Sequence, residues 1–358
     1  MYQTHHHSIF CVLPPHMLRE IARNGTPAER DHALNTLAID GTLRTCRTTY
    51  QLLSNNSKQA IMTAVPTQKQ RTVYNATNSE DLPGNVVRSE GDDPAGDVAV
   101  DEAYDGLGKT FDFYLEAYSR NSIDDEGLHL DATVHYGQDF RNALWNGTQM
   151  VFGDGDGVIF DRFTKSIDVI GHELTHGVTG HEAKLIYLGQ SGALNESISD
   201  VFGSLVKQYA LGQTVDQADW LIGQGLFMPS VQGVALRSMK DPGTAYDDPK
   251  LGKDPQPANM SDYVDTSRDN GGVHINSGIP NKAFYLVATA LGGKAWEKAG
   301  RIWYEALRDK QLSSSSSFTD FAIRTVINAG HLYGSGGDEK KAVVDAWGQV
   351  GITLPAGS

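Results

Sequence analysis

With 358 residues, 39% of them hydrophobic and 21% charged, the chain is long enough for two lobes and too mixed for a fibre or a disordered protein. A formal net charge of −14 argues against nucleic acid or an anionic membrane surface as partner. No apolar run approaches the roughly 18 residues of a membrane span.

The first 50 residues read as a small segment of their own. The apolar run from Ile9 to Leu13 stops at Pro14-Pro15. A secretory signal needs roughly 7–15 apolar residues after a basic start. No Sec-type signal is therefore expected, which leaves secretion by another route or, as the alternative, a cytoplasmic protein. The His5–His7 triplet reads as a solvated tail. Cys11 and Cys46 are too few for a disulfide framework, and pairing or reduction both stay open. His16–Ala22 reads as a helix with proline at its start, and a second helix begins at Thr26-Pro27 and runs through Leu34, Leu37 and Ile39. Two short helices cannot build a sizeable core, so they are expected to pack on the rest of the chain. Residues 51–71 are polar and aperiodic, the pattern of an accessible linker.

From residue 72 the character changes. Thr72–Ala76, Asn85–Arg88 and Ala132–Tyr136 are strand-like runs between turn signals. Residues 97–120 read as a long helix, apolar at Val100, Tyr104, Leu107, Phe111 and Leu115. The Asp/Gly run Gly153–Gly157 lacks the register of a calcium-binding EF-hand and its bidentate Glu, so it reads as a turn.

The chemistry concentrates between Ser166 and Asp200. His172-Glu173-Leu174-Thr175-His176 places two histidines four apart, on one face of a helix, where they can hold one metal ion. Imidazole nitrogens suit Zn²⁺. Glu173 stands beside such a metal and can take a proton from a water that the metal acidifies to a pKa of roughly 7. Ile167, Val169, Ile170, Leu174 and Val178 supply the helix's apolar set, and Gly177 and Gly180 mark its end. A catalytic zinc needs a third protein ligand. Glu196, twenty residues beyond His176 in Asn195-Glu196-Ser197-Ile198-Ser199-Asp200, is the candidate. Asp200, one turn further on, can accept the free N–H of a ligating histidine and fix its tautomer.

Residues 201–358 read as mainly helical, with helices over 201–211, 281–291, 294–310, 318–331 and 338–348.

The H-E-x-x-H pentapeptide, followed at this distance by Asn195–Asp200, resembles the thermolysin family of zinc endopeptidases. The metzincin pattern needs Gly at 179 and His at 182, where this chain has Thr179 and Glu182. The resemblance covers about residues 72–355. It implies an α+β, two-lobed zincin. An α/β lobe over 72–187 and a helical lobe over 188–358 would flank the zinc helix, preceded by a propeptide (1–50) and a processing region (51–71). It further implies that His172, His176 and Glu196 bind zinc, with Asn195 and Asp200 behind them, and that Glu173 is the base. His274, oriented by Asp269, and Tyr187 would stabilise the oxyanion. Asn142-Ala143 matches the edge strand that pairs with peptide substrate, although Leu144 stands where the family has an aromatic. Arg237 matches the arginine on the substrate carbonyl. Phe160, Phe163, Val169, Ile222 and Leu236 match a pocket for a bulky apolar residue just after the cleaved bond.

The helical N-terminal segment with its Pro-Pro pair is similar to the short propeptides of protealysin-like members. An intramolecular inhibitor removed by cleavage in or just before the linker is then expected. For Cys11 two readings stand, a thiolate that ligates zinc and silences the enzyme, or a small buried apolar residue beside Ile9, Val12 and Leu13. The chain departs from the family at its double calcium site. Asp168 and Asp219 fit, but Lys207, Leu221 and Gln224 stand where acids are expected, and Val234 replaces an acid at another calcium position. Calcium is not expected at the double site. Lys207 would neutralise the two aspartates instead. Peptide or protein substrates and a monomer complete the expectation.

Overall fold

The computed structural model describes the backbone of residues 11–54 and 67–355, and the side chains of all of these except 41–54. The His5–His7 triplet, most of the expected linker and the Cys46 side chain lie outside the described residues. The Cys11 side chain is buried.

Two helices, α1 (Pro15–Asn24) and α2 (Pro27–Ser54), form the N-terminal segment. Proline occupies the first position of α1, where a missing N–H costs nothing. Helix α2 runs to Ser54, past the expected linker boundary at 51. Nothing in TLRTCRTTYQLLS breaks a helix, and polarity alone does not end one. The segment packs on the main body as expected. Lys250 Nζ donates to Glu29 Oε1 at 2.5 Å, and Arg141 Nη1 donates to the Glu29 carbonyl at 3.2 Å.

The first lobe holds a five-stranded sheet: β1 (Arg71–Asn75), β2 (Asn85–Ser89), β3 (Leu130–Val134), β4 (Ala143–Trp145) and β5 (Met150–Phe152). Their order is β2-β1-β3-β5-β4, so β4 is an edge strand. It pairs antiparallel with β5 through Leu144 and Val151, and β1, β3 and β5 run parallel. Helix α3 (Val98–Tyr118) crosses behind the sheet, started by Asp97, whose side chain accepts from Ala99 N and Val100 N. The Asp/Gly run after β5 is a turn. Asp156 Oδ1 accepts from the backbone N–H of Ile159 and Phe160 at 2.9 Å, while Oδ2 pairs with buried Arg141 at 2.7 Å.

His135, just past β3, ties this turn to α3. Its Nδ1 lies 2.8 Å from Asp154 and its Nε2 3.0 Å from Asp97. The hydrogen bond to Asp154 is the largest influence; with the second carboxylate at Asp97 it outweighs burial, and the imidazole pKa is pushed up to about 9. The folded value lies above the ordinary 6.5, so this stabilisation is full below about pH 6.5 and is lost as pH rises through 9. Because both carboxylates are about a third exposed, screening limits its worth to about 1 kcal/mol. Unfolding midpoints are expected to fall over that window, and His135→Gln to flatten the slope. An unchanged slope in the variant assigns the effect to other groups.

Two helices follow the sheet, α4 (Ile167–His181) and α5 (Gly189–Leu211). All residues from Asp168 to Thr179 are buried, so α4 is wrapped on every side and lies between the lobes. Gly177 and Gly180 do not stop it; it ends after His181. Gly171 and Gly203 let α4 and α5 approach closely. A Cβ on Gly203 would stand 2.4 Å from the Asp168 carbonyl and 3.0 Å from His172 N. Helices α7 (Gly278–Leu291), α8 (Ala299–Arg308), α9 (Phe318–Tyr333) and α10 (Asp338–Gln349) pack around α5 and each other, numbered to leave α6 for the short helix Asp269–Asn276. Residues 212–268 lie between the expected helices over 201–211 and 281–291. They contain short strands, among them β6 (Leu221–Ile222) and β7 (Arg237–Ser238), and no α-helix. The helix expected over 294–310 is confined to 299–308, after Gly292 and Gly293 at positive φ.

Candidate active site

The close α4–α5 crossing brings both motifs together. His172 and His176 are one turn apart on α4, with Nε2 atoms 3.0 Å from each other. Glu196 on α5 reaches His172 Nε2 at 3.6 Å through Oε2 and His176 Nε2 at 3.4 Å through Oε1. Ligand atoms at about 2.0–2.1 Å from a tetrahedral zinc stand about 3.3 Å apart, so the two imidazole nitrogens and this carboxylate stand at separations that suit one such ion. The opposite ring nitrogens are held from α5. His172 Nδ1 donates to Asp200 Oδ1 at 2.8 Å, and His176 Nδ1 to Asn195 Oδ1 at 2.9 Å. These partners leave Nε2 of each ring as the acceptor a metal requires.

Glu173 also comes within 4.8 Å of both histidines, so distance alone does not separate it from the ligands. Its Oε2 accepts from Trp145 N at 2.9 Å, which anchors the carboxylate against the edge strand. A base acting on a peptide laid along β4 belongs there.

Tyr187 OH donates to Glu196 Oε1 and lies 3.2 Å from His274 Nε2. His274 is on α6, where Asp269, Asn270, Gly271 and Gly272 take positive φ in a turn that folds Asp269 back. Asp269 accepts from His274 Nδ1 at 2.7 Å and from its backbone N–H at 2.9 Å. Burial works against a charged imidazole here; Asp269, then Glu196, outweigh it and raise the His274 pKa.

Arg237, on β7, reaches Asp200 through Nη2 at 2.7 Å and Nε at 2.8 Å. Asn281 Nδ2 adds a third donor at 2.9 Å. Burial raises the Asp200 carboxyl, but the guanidinium and His172 outweigh it and hold the group ionised, well below its ordinary pKa. Arg237 Nη1 also donates to the Val12 carbonyl at 2.8 Å. Asn142 Oδ1 accepts from Leu13 N at 3.1 Å, and Ala143 O from Val12 N at 3.3 Å. Asn142 is itself held by Asp40 Oδ2 on α2. Phe160, Phe163, Val169, Ile222 and Leu236 are buried in one apolar cluster that also contains Val12 and Leu13. Cys11 carries its carbonyl 3.2 Å from His274 Nε2, and its Sγ lies 3.5 Å from Leu13 O.

Direct contacts therefore connect His172 and His176 to Asn195, Glu196 and Asp200, and Asp200 to Arg237. They run from Glu196 through Tyr187 to His274 and Asp269, and Asn142 and Ala143 are joined to Arg237 through residues 12 and 13. The Arg237–Asp200 pair, Asn281 and the Trp145 N–H were not anticipated. Partners 37 or 81 residues apart leave no periodic trace. Below α4, Lys207 Nζ sits 3.2 Å from Asp168 Oδ2 and 2.7 Å from Asp219 Oδ2.

Comparison with known proteins agrees with the geometry. Residues 31–180 match "Thermolysin metallopeptidase, catalytic domain" and residues 183–352 "Thermolysin metallopeptidase, alpha-helical domain". An extracellular metalloprotease of Pectobacterium carotovorum subsp. carotovorum is 53% identical over 347 residues, 97% of each chain. Protease PrtS of Photorhabdus sp. (strain Az29) is 51% identical over 351 residues, covering 96% of this chain and 92% of that protein. The solved precursor of protealysin, a metalloproteinase from Serratia proteamaculans, is similar with a TM-score of 0.87 and 55% identity over 96% of this chain and 99% of that one. The chain belongs to the thermolysin family of metallopeptidases, zinc enzymes that hydrolyse peptide bonds.

Proposed function

We propose that the chain is the precursor of an endopeptidase that cuts internal bonds ahead of bulky apolar residues and is held inactive by its own residues 1–50 until cleavage within 51–71. The observation that carries this reading is the edge of β4. Ala143 O, Asn142 Oδ1 and Arg237 already grip a peptide backbone that passes the metal ligands, and that backbone is the chain's own. The backbone held there is an internal stretch of the chain rather than a chain end, which favours endopeptidase over aminopeptidase action.

Zinc on His172, His176 and Glu196 would supply Lewis acidity toward a peptide carbonyl and an acidified water. Glu173 takes the water's proton and passes it to the departing nitrogen. Ala143 O receives the N–H of the residue after the cut. His274 donates to the carbonyl oxygen as its charge grows, Asp269 keeps His274 in the donating state, and Tyr187 joins it by turning its one hydroxyl proton from Glu196 to that oxygen. The five-residue apolar pocket beside the cleft supports the preference for a bulky apolar residue after the cut.

For Cys11, the carbonyl position near His274 and the Sγ contact with Leu13 O favour blockage by backbone over thiolate ligation of zinc. Lys207 between Asp168 and Asp219 supports a double site without calcium. No helix among the described residues is long and apolar enough to cross a membrane, and relatives named extracellular support export, which we assign to a route other than Sec, with cytoplasmic residence as the alternative. A monomer acting on peptides, without nucleic-acid partners, completes the reading.

A doubly blocked, internally quenched peptide incubated with the purified chain tests it. Cleavage is expected after a lag that matches a mass loss of the 1–50 segment. A chain that loses this segment, carries zinc and still leaves the peptide intact is instead a catalytically silent zinc protein.

A further inference from the structure

The N-terminal segment enters the cleft with a definite polarity and register. Cys11 bridges antiparallel to Leu144 on β4. Each backbone group from Cys11 O to Leu13 N then meets a different part of the site. Cys11 O stands 3.2 Å from His274 Nε2, the donor assigned to a developing oxyanion. Val12 N donates to Ala143 O at 3.3 Å, Val12 O accepts from Arg237 at 2.8 Å, and Leu13 N donates to Asn142 at 3.1 Å. The Val12 side chain is fully buried. The next residues, Pro14 and Pro15, have no N–H, so strand pairing ends there and α1 begins.

We propose that residues 11–13 lie as a substrate lies, with Cys11–Val12 at the position of the bond to be cut, and that the enzyme hydrolyses this bond in its own propeptide. The inference rests on the peptidase reading above. Water adds to the Cys11 carbonyl carbon, and the bond to Val12 nitrogen breaks. The electron pair leaves on that nitrogen, which takes the proton relayed by Glu173. The products are a Cys11 carboxylate and a Val12 amine, with one water consumed. Turnover in the intact precursor is slow because the departing amine cannot leave. Leu13 is tied to Asn142, and α1 and α2 are packed on the body, so the new amine stays where the bond can re-form. The segment thus inhibits as a tightly held substrate, and Val12 is the residue that fills the pocket.

The test uses the full chain, incubated until the generic quenched peptide is turned over. A blocked peptide of residues 8–15, SIFCVLPP, is then added and its products are weighed. One cut is expected, between Cys11 and Val12, absent with the Glu173→Ala chain. The Val12→Leu peptide should be cut at the same bond, and the Val12→Asp peptide at least about 100-fold more slowly, because its charge would be buried unpaired. An uncut peptide, or a cut at another bond, overturns the register while the generic peptide is still cleaved. Failure to cleave the generic peptide strikes the peptidase reading instead.

Discussion

Glu173→Ala is expected to keep its zinc and lose about 10³–10⁴-fold in kcat/KM, the usual worth of a positioned general base. The residues proposed to hold zinc, His172, His176 and Glu196, are oriented by Asp200, Asn195 and Tyr187. The Glu173 carboxylate has a second, structural contact, the hydrogen bond from Trp145 N. Removing it deletes this hydrogen bond to a charged group, at a cost of about 1.5–3 kcal/mol. Alanine therefore confounds chemistry with loosening of the edge strand. Glu173→Gln separates them, because its amide oxygen still accepts from Trp145 N but takes no proton. Both variants should show wild-type metal content by atomic absorption. The glutamine variant should also keep the wild-type melting temperature while remaining inactive. A zinc-replete glutamine variant turning over at the parental rate would remove Glu173 from the mechanism.

Much of this site was legible because its parts follow local periods. His172 and His176 share a helix face by spacing alone, and Glu196 and Asp200 do the same on α5. What joins the two helices is the Gly171–Gly203 approach, and one glycine looks like any other until the crossing is known. Three strands of the first lobe, β1 to β3, stood out by their flanking turn residues; β4 and β5, three residues each, are too short to show a pattern, and β4 was reached only through the family resemblance. Residues 212–268 did not stand out, since their short strands and turns are fixed by distant partners rather than by pattern. Arg237 illustrates this. Its two-residue strand is set by Ile222 across the ladder, and its charge is set by Asp200. Helix α6 was hidden for another reason. Its first turn is built from residues at positive φ, which helical periodicity does not describe, although Asn270-Gly271-Gly272 marks the irregularity. At the other end of the chain, polarity suggested a linker from 51, yet α2 continues to Ser54.

Lys207→Ala is expected to destabilise the protein by about 3–5 kcal/mol, the cost of leaving buried charge uncompensated. Asp168 is fully buried in the first turn of α4, where Ser166 Oγ and Gly223 N donate to its Oδ1. Lys207 Nζ, from α5, takes its Oδ2, together with Asp219 Oδ2 and the Leu221 carbonyl at 3.4 Å. Burial disfavours the ammonium, but Asp168 and Asp219 outweigh this and raise its pKa, so the cation is permanent at neutral pH. One lysine thus does at this position what a bound ion would do, at no cost in ligand concentration. It clamps the two helices that carry all three zinc ligands, so its loss should also speed zinc release. The parent should melt at the same temperature with and without millimolar calcium in zinc-containing buffer. The alanine variant, left with two facing carboxylates, should regain part of its loss with calcium, about 2.7 kcal/mol if the ion reaches 100 times its Kd. Lys207→Glu, which adds a third carboxylate, should depend on calcium more strongly still. A parent protein that gains as much from calcium as these variants do would mean that an ion, not the ammonium, balances Asp168.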